Sequence, residues 1–303
     1  MRILFDNTNI NSRSGPNAFA KKLSNAIIRT NEHNVVFNAS EPHDVCLTFI
    51  ENNQITSAKR ILRLDGIYFN SDQPWEKLNH SIKQSYNACQ GVVFQTTFNK
   101  RLSEKFFGIR NNTSVIPNGT DVSLINSIAP AQFSGTFSEI WCSAASWRPH
   151  KRLEENIRYF LEHSPKDAIL IILGHIGYQP QLSGNESDRV VFLGEVSWEN
   201  TISIFKACKK FLHLAYFDHC PNVVVDARAA GCEIVVTSSG GTKEIAGPGA
   251  IVIEEEFDEI ESPIKLYYPP RLDFARYHTN SFNSVVDVNE IAKSYIDVLI
   301  KTV

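Results

Sequence analysis

Residues 217–231 read Phe217-Asp218-His219-Cys220-Pro221-Asn222-Val223-Val224-Val225-Asp226-Ala227-Arg228-Ala229-Ala230-Gly231. The stretch Phe211 to Ala215 in front of them, apolar but for His213, reads as a buried strand. Pro221 suits the first position of a helix, with Asn222 beside it. A loop that ends in a helix start offers amide donors and a positive dipole end to an anion. Asp218 sits on that loop and Asp226 two turns along the helix, which turns both carboxylates towards one ligand. A carboxylate that accepts two hydrogen bonds suits vicinal hydroxyls. A second reading makes Asp218 a helix cap and Asp226 a surface charge, and spacing alone leaves both open. His219 beside Cys220 is not a thiol nucleophile pair, because adjacent side chains on a loop diverge and a third orienting group is missing.

Working outward, strands and helices alternate in two series. In the first, Ile3-Leu4-Phe5 is a buried strand that ends in a polar loop, Asp6 to Ser14. Gly15 and Pro16 then open a helix with Phe19, Leu23, Ile27 and Ile28 on one face. Strands are predicted over 35–38, 45–49, 61–64, 92–95 and 114–116, and helices over 76–89 and 98–107. An irregular polar stretch from Thr120 to Ser138 reads as the crossing to the second series. That series has strands at 140–144, 169–173, 190–193, 211–215, 234–237 and 251–253. Its helices span 152–163, 198–208, 222–230 and 242–245, and a last amphipathic helix spans 288–301. This order specifies an α/β chain of two doubly wound halves, with ligand loops at the carboxyl ends of both sheets facing a central cleft. The domains read as 1–121 and 122–285, with 286–303 a terminal helix returning towards the first.

The 303 residues, 43% of them apolar, suffice for two cores. A net charge of -3 carries no electrostatic footprint of a nucleic-acid binder. Lys206, Lys209 and Lys210 form the densest basic group and read as a solvated helix face. The six cysteines show no C-x-x-C spacing, which speaks for free thiols in a reducing compartment. The start, Met1 to Asp6, is charged too soon for a signal peptide, and no apolar run approaches 18 residues or so. The expected location is cytoplasmic, with at most peripheral contact with the inner face of a membrane. His43, His80, His163 and His213 stand alone in the sequence and read as packing or surface residues.

The 217–231 segment resembles the signature of the retaining glycosyltransferases of family 4, which have the GT-B fold of two Rossmann-like domains. Their pattern places two glutamates eight positions apart around Pro-Asn; here the spacing is kept and both acids are aspartate. The resemblance implies that Asp218 holds hydroxyls of a donor sugar and Asp226 those of a nucleotide ribose, with His219, Cys220, Pro221 and Asn222 lining the donor. Ala144 to Arg152 resembles the family's diphosphate-clamping loop. Lys151 matches its lysine, whereas the usual arginine position falls on Ser146, and Arg148 substitutes from two residues along. Leu193, Gly194, Glu195 and Val196 resemble the turn whose backbone reads the nucleobase. Ser239-Gly240-Gly241 resembles a Gly-Gly loop near the donor, although taken alone it reads as a plain turn. Gly15 lies in a segment like the family's glycine-rich loop after the first strand. Asp65, in Arg63-Leu64-Asp65-Gly66, is the first-domain candidate for a catalytic or acceptor-orienting role, or else a turn aspartate before glycine. Pro117-Asn118-Gly119 with Asp121 resembles the family's hinge.

The resemblance implies transfer of a sugar from a nucleotide-diphosphate sugar to a glycan, lipid-linked or protein acceptor with retention of configuration. Asp65, Asp218, Lys151 and Arg148 are the catalytic candidates. No Asp-x-Asp motif occurs, so the expectation is a reaction without metal or cofactor, in which Lys151, Arg148 and helix amides neutralise the diphosphate. Two alternatives share the fold: a non-catalytic nucleotide-sugar binding protein and a sugar-nucleotide epimerase.

Overall fold

The computed structural model describes residues 1–12, 14–177, 188–257, 260 and 262–303; Arg13, within the loop read as Asp6 to Ser14, lies outside them. The chain forms two compact units. The first holds Met1–Asp121, Ser262–Ile264 and Val285–Val303, and the second Val122–Glu261 and Lys265–Ser284.

Up to residue 121 the elements are β1 (Arg2–Asp6), α1 (Gly15–Arg29), β2 (Asn34–Val36), β3 (Val45–Phe49), β4 (Lys59–Leu64), α2 (Trp75–Leu78), α3 (His80–Ala88), β5 (Gly91–Phe94), α4 (Thr97–Phe107) and β6 (Thr113–Val115). There follow α5 (Val122–Ser127), β7 (Ile140–Ala144), α6 (Leu153–His163), β8 (Ile169–Leu173), β9 (Val190–Gly194), α7 (Trp198–Ala207) and β10 (Lys210–His213). The remainder is α8 (Asn222–Ala229), β11 (Glu233–Thr237), α9 (Thr242–Ile245), β12 (Ile251–Ile253), β13 (Tyr277–Thr279) and α10 (Val288–Ile300).

Among the described residues, the first unit has a six-stranded parallel sheet in the order β2-β1-β3-β4-β5-β6. Strands buried on both faces, such as β3 with all of Val45–Phe49 buried, account for the nearly continuous apolar runs in the sequence. One core unites Phe19, Leu23 and Ile27 of α1 with Ile3 and Phe5 of β1 and Ile291, Tyr295 and Leu299 of α10. Fully burying each such side chain stabilises the fold by about 1.5–3 kcal/mol. Ile28, read as part of that face, is 44% exposed instead, one residue past the stripe.

The second unit has a seven-stranded sheet in the order β13-β12-β11-β10-β7-β8-β9, parallel except for β13. β7 runs to β8 and β9 on one side, and the chain then returns to lay β10 against β7 on the other. The carboxyl ends of β7 and β10 therefore flank the point where strand order reverses, where open α/β sheets bind ligands.

Three departures from the sequence reading have identifiable causes. The helix read over 76–89 breaks at Asn79, whose buried side-chain amide accepts from the Tyr68 N–H (2.8 Å) and donates to the Tyr68 carbonyl (2.6 Å). The stretch read as irregular from Thr120 to Ser138 contains α5, and Lys206 Nζ donates to the carbonyls of Ile125 (3.1 Å), Asn126 (3.2 Å) and Ile128 (2.5 Å) at its end. Such cations satisfy the orphan carbonyls of a helix terminus. Lys206 is thus a clamp rather than a solvated charge, while Lys209 and Lys210 pair with Glu139 and Glu233. β13 adds an antiparallel edge strand that exposed residues did not signal. Among the described residues no helix is long and apolar enough to cross a membrane, and all six cysteines are free and buried.

Candidate active site

The loop after β7 is shaped before it presents any side chain. Trp147 is buried and its Nε1 donates to the Leu173 carbonyl (2.9 Å), pinning the loop to the end of β8. Gly174 turns at φ +100°, where a Cβ would collide with the Ala145 carbonyl oxygen, so only glycine admits this close approach. Pro149–Lys151 then form a 3-10 turn, and Arg152, left-handed at φ 50°, starts α6. Asn156 in the first turn of α6 donates to the Lys151 carbonyl (3.1 Å), and its Oδ1 accepts from the Leu214 N–H (3.2 Å). One buried side chain thereby sets the Lys151 loop against the end of β10. Nothing in the sequence set Asn156 apart beyond its place early in a helix.

The loop after β10 is built as tightly. Phe217 is left-handed at φ 49°, and its N–H is held by Ser239 Oγ (3.2 Å). The Asp218 carbonyl accepts from the Gly241 N–H (2.8 Å). Gly240 turns at φ +76°, and a Cβ there would strike the same carbonyl. The Gly-Gly pair, which alone read as a plain turn, is the surface on which the Asp218 loop rests.

Between these loops the structure joins Lys151 to Asp218: Lys151 Nζ donates to Asp218 Oδ2. His213 Nε2 lies 2.9 Å from the same oxygen, and Asp218 Oδ1 accepts from the His219 N–H (2.9 Å). His213, read from the sequence as an isolated packing histidine, is corrected to a member of this cluster. The ring stands at the carboxyl end of β10, five residues before Asp218, and the loop folds the carboxylate back onto it. Burial alone would raise the pKa of Asp218, but Lys151 and His213 outweigh it and hold the carboxyl well below the usual carboxylate range. Asp218 is no helix cap, since Pro221 occupies the cap of α8.

Burial holds two neighbouring imidazoles neutral, with Lys151 aiding it and Asp218 opposing it: His150 is pushed down to about 3 and His219 to about 4. The His150 ring stacks on Tyr267 with centroids 5.5 Å apart. In the unfolded chain both rings protonate near pH 6.5, whereas in the fold they resist protonation down to those lower values. Their contribution to stability is complete above pH 6.5 and is lost on acidification, by about 1.4 kcal/mol per pH unit for each ring. Asp218, with its depressed value, adds its own loss only at still lower pH. Unfolding free energy measured in denaturant at pH 7, 6 and 5 should therefore fall steeply, and His150→Phe, which keeps the stacking face, should flatten the slope by one proton. An unchanged slope in that variant would refute the assignment.

The other candidates are distributed around this cluster and beyond it. Asp226 is only 4% exposed, which corrects the surface-charge alternative, and its Oδ2 accepts from Trp198 Nε1 at the start of α7 (2.9 Å). Asn222 begins α8 four residues after Asp218, and Cys220 is buried between them. Ser146 and Arg148 are exposed on the β7 loop. Leu193 and Glu195 are exposed and Val196 half-buried at the end of β9, where Gly194 turns at φ +67° and its carbonyl accepts from the Gly174 N–H (2.7 Å).

Gly15 and Asp65 belong to the first unit. Gly15 is exposed at the start of α1. Asp65 accepts from Arg63, and from Gln95 Nε2 at 2.7 Å. Arg63 itself is fully buried beneath the Phe19 ring and also donates to Asn118 Oδ1 (2.6 Å) and the Tyr295 hydroxyl (3.1 Å). Although burial disfavours its charge, Asp65 and Tyr295 hold this guanidinium firmly protonated.

Residues 134–265 match the family described as glycosyl transferases group 1. No curated protein matches the chain. Among solved structures, the chain is similar to Anabaena HepE (Alr3699) in complex with UDP and glucose, at 14% identity and a TM-score of 0.67, with 99% of each chain covered. It is also similar to sucrose-phosphate synthase from Thermosynechococcus elongatus (11% identity, TM-score 0.63, covering 99% of this chain and 97% of that one). A third is AviGT4, a glycosyltransferase involved in avilamycin A biosynthesis (13% identity, TM-score 0.61, covering 100% and 98%). These likenesses span the whole chain and show the GT-B fold.

Proposed function

We propose, from the match of residues 134–265 to the group 1 glycosyl transferases, a retaining glycosyltransferase that takes its sugar from a UDP-sugar bound at the carboxyl ends of β7 and β10. The observation that carries this reading is the Lys151–Asp218 contact at the point of strand reversal. A nucleotide sugar presents a diphosphate to a cation and vicinal hydroxyls to a carboxylate, and these two groups stand there side by side. UDP is favoured because HepE, of the same fold, was solved with UDP and with UDP-glucose.

The diphosphate gains negative charge as the bond to the sugar breaks, and Lys151, exposed Arg148 and the start of α8 supply the counter-charge. No metal or cofactor enters this reading. Asp218 carries no proton to give, because Lys151 and His213 keep it ionised, and the hydrogen bonds from His213 and the His219 N–H, which stay when Lys151 turns to the diphosphate, blunt it as a nucleophile. Front-face attack through an oxocarbenium-like transition state, with the departing phosphate as base, then accounts for retention. Asp226 takes the ribose hydroxyls by sharing its carboxylate with Trp198, and the turn at Leu193–Val196 takes the base. Asp65 orients the acceptor, a glycan or glycoconjugate.

The test is a thermal-shift screen of the purified chain against UDP-, GDP- and ADP-sugars, followed by turnover and product stereochemistry with the best of them. Ligand at a hundredfold its Kd stabilises by about 2.7 kcal/mol. Stabilisation by a UDP-sugar with release of UDP and an unchanged anomeric configuration is the expected result. Tight binding without turnover would instead support a non-catalytic nucleotide-sugar binder. No stabilisation by any of them would end the donor reading.

A further inference from the structure

Building on the donor reading above, we propose that His213 is a positioning residue for the donor sugar, fixing the Asp218 carboxylate while Lys151 leaves it for the diphosphate. A carboxylate accepts at about four lone-pair sites. Three are engaged here: Oδ2 by Lys151 and by His213 at 2.9 Å, and Oδ1 by the His219 N–H at 2.9 Å. Because a carboxylate only accepts, Nε2 of His213 carries the proton and donates it.

The two side-chain donors on Oδ2 differ in freedom. Lys151 is a point charge on a four-carbon stem, free to swing about its loop position. A diphosphate bears more negative charge than one carboxylate and attracts that ammonium away. His213 has no such freedom. It is 3% exposed at the end of β10, which is hydrogen-bonded between β7 and β11, and its ring lies nearly parallel to Phe211 (9° between planes, centroids 6.4 Å apart). When Lys151 departs, a lone pair of Oδ2 opens to a sugar hydroxyl, and the imidazole keeps the carboxylate from turning. His213 therefore selects the orientation in which Asp218 meets the sugar and leaves the nucleotide contacts alone.

This division can be read by titration calorimetry on the full chain with UDP and with UDP-glucose. In the parent, UDP-glucose should bind more tightly than UDP by a ratio that reports the sugar contacts. His213→Leu should leave UDP affinity within about twofold and reduce that ratio by roughly tenfold, the worth of one hydrogen bond to a charged group. His213→Gln, whose amide nitrogen reaches to about the imidazole Nε2, should restore most of the ratio, and the shorter His213→Asn should not. The Gln and Asn pair carries the test if the leucine variant fails to fold. A His213→Leu or His213→Asn variant with the parental ratio overturns this inference and leaves the donor reading standing. Equal loss of both ligands also overturns it, because that marks a general structural role. A parent that binds neither ligand overturns the donor reading and this inference with it.

Discussion

Lys151→Ala is expected to lower turnover at saturating donor at least tenfold, approaching the 100- to 1,000-fold typical of losing one preorganised electrostatic partner of a transition state. On donor binding the ammonium turns from Asp218 to the diphosphate, so it is in place before the leaving group charges up. Its loss also acts on Asp218. Lys151 is the strongest influence opposing the effect of burial on that carboxyl, and without it the pKa of Asp218 rises. The variant should therefore lose its residual activity at higher pH than the parent does as the medium is acidified. A melting temperature near the parent's would separate this from misfolding. Near-parental turnover in a donor-saturated assay, with an unshifted acid limb, would refute the role of Lys151.

The readiness of that site to be seen in the sequence varied with how local its causes are. Buried parallel strands such as Val45–Phe49, Ile140–Ala144 and Ile169–Leu173 announce themselves as runs apolar at all or all but one position, because both faces are covered. The Lys151 and Asp218 loops stood out for their charge and their place after such strands. What escaped depends on partners distant in sequence. Asn79 breaks a helix because Tyr68 offers both backbone groups to its amide, and α5 ends on a lysine from some eighty positions downstream. β13 is three exposed residues defined by pairing with Ile251–Ile253. His213 looked solitary because only the fold of the following loop returns Asp218 to it. Asp226 had the right spacing for a ligand, yet its Trp198 partner lies on another helix and no spacing rule connects them.

Arg152→Ala should lower stability by about 3–5 kcal/mol, the usual consequence of leaving one partner of a buried ion pair alone. In a domain of 150–250 residues that corresponds to a fall of roughly 10 °C in the melting temperature. The pair is Arg152 with Glu255, in two hydrogen bonds of 2.6 and 2.9 Å, each side chain 1% exposed. Arg152 also donates to the Pro270 carbonyl (2.9 Å) and lies over the Tyr216 ring (4.8 Å). Glu255→Gln should be comparably harmful, because it strands the guanidinium. Arg152→Met with Glu255→Leu should recover much of the loss, since an apolar pair of similar volume has no charge to desolvate. Activity should not follow stability back. Glu255 Oε1 accepts from the Ser239 hydroxyl (2.8 Å), and that hydroxyl receives the Phe217 N–H (3.2 Å) one residue before Asp218. The apolar pair breaks this relay from the Lys151 loop to the Asp218 loop, so the double variant should melt near the parent and still turn over slowly. Single variants that melt within two or three degrees of the parent would refute the stabilising role, and a double variant of full activity would refute the relay.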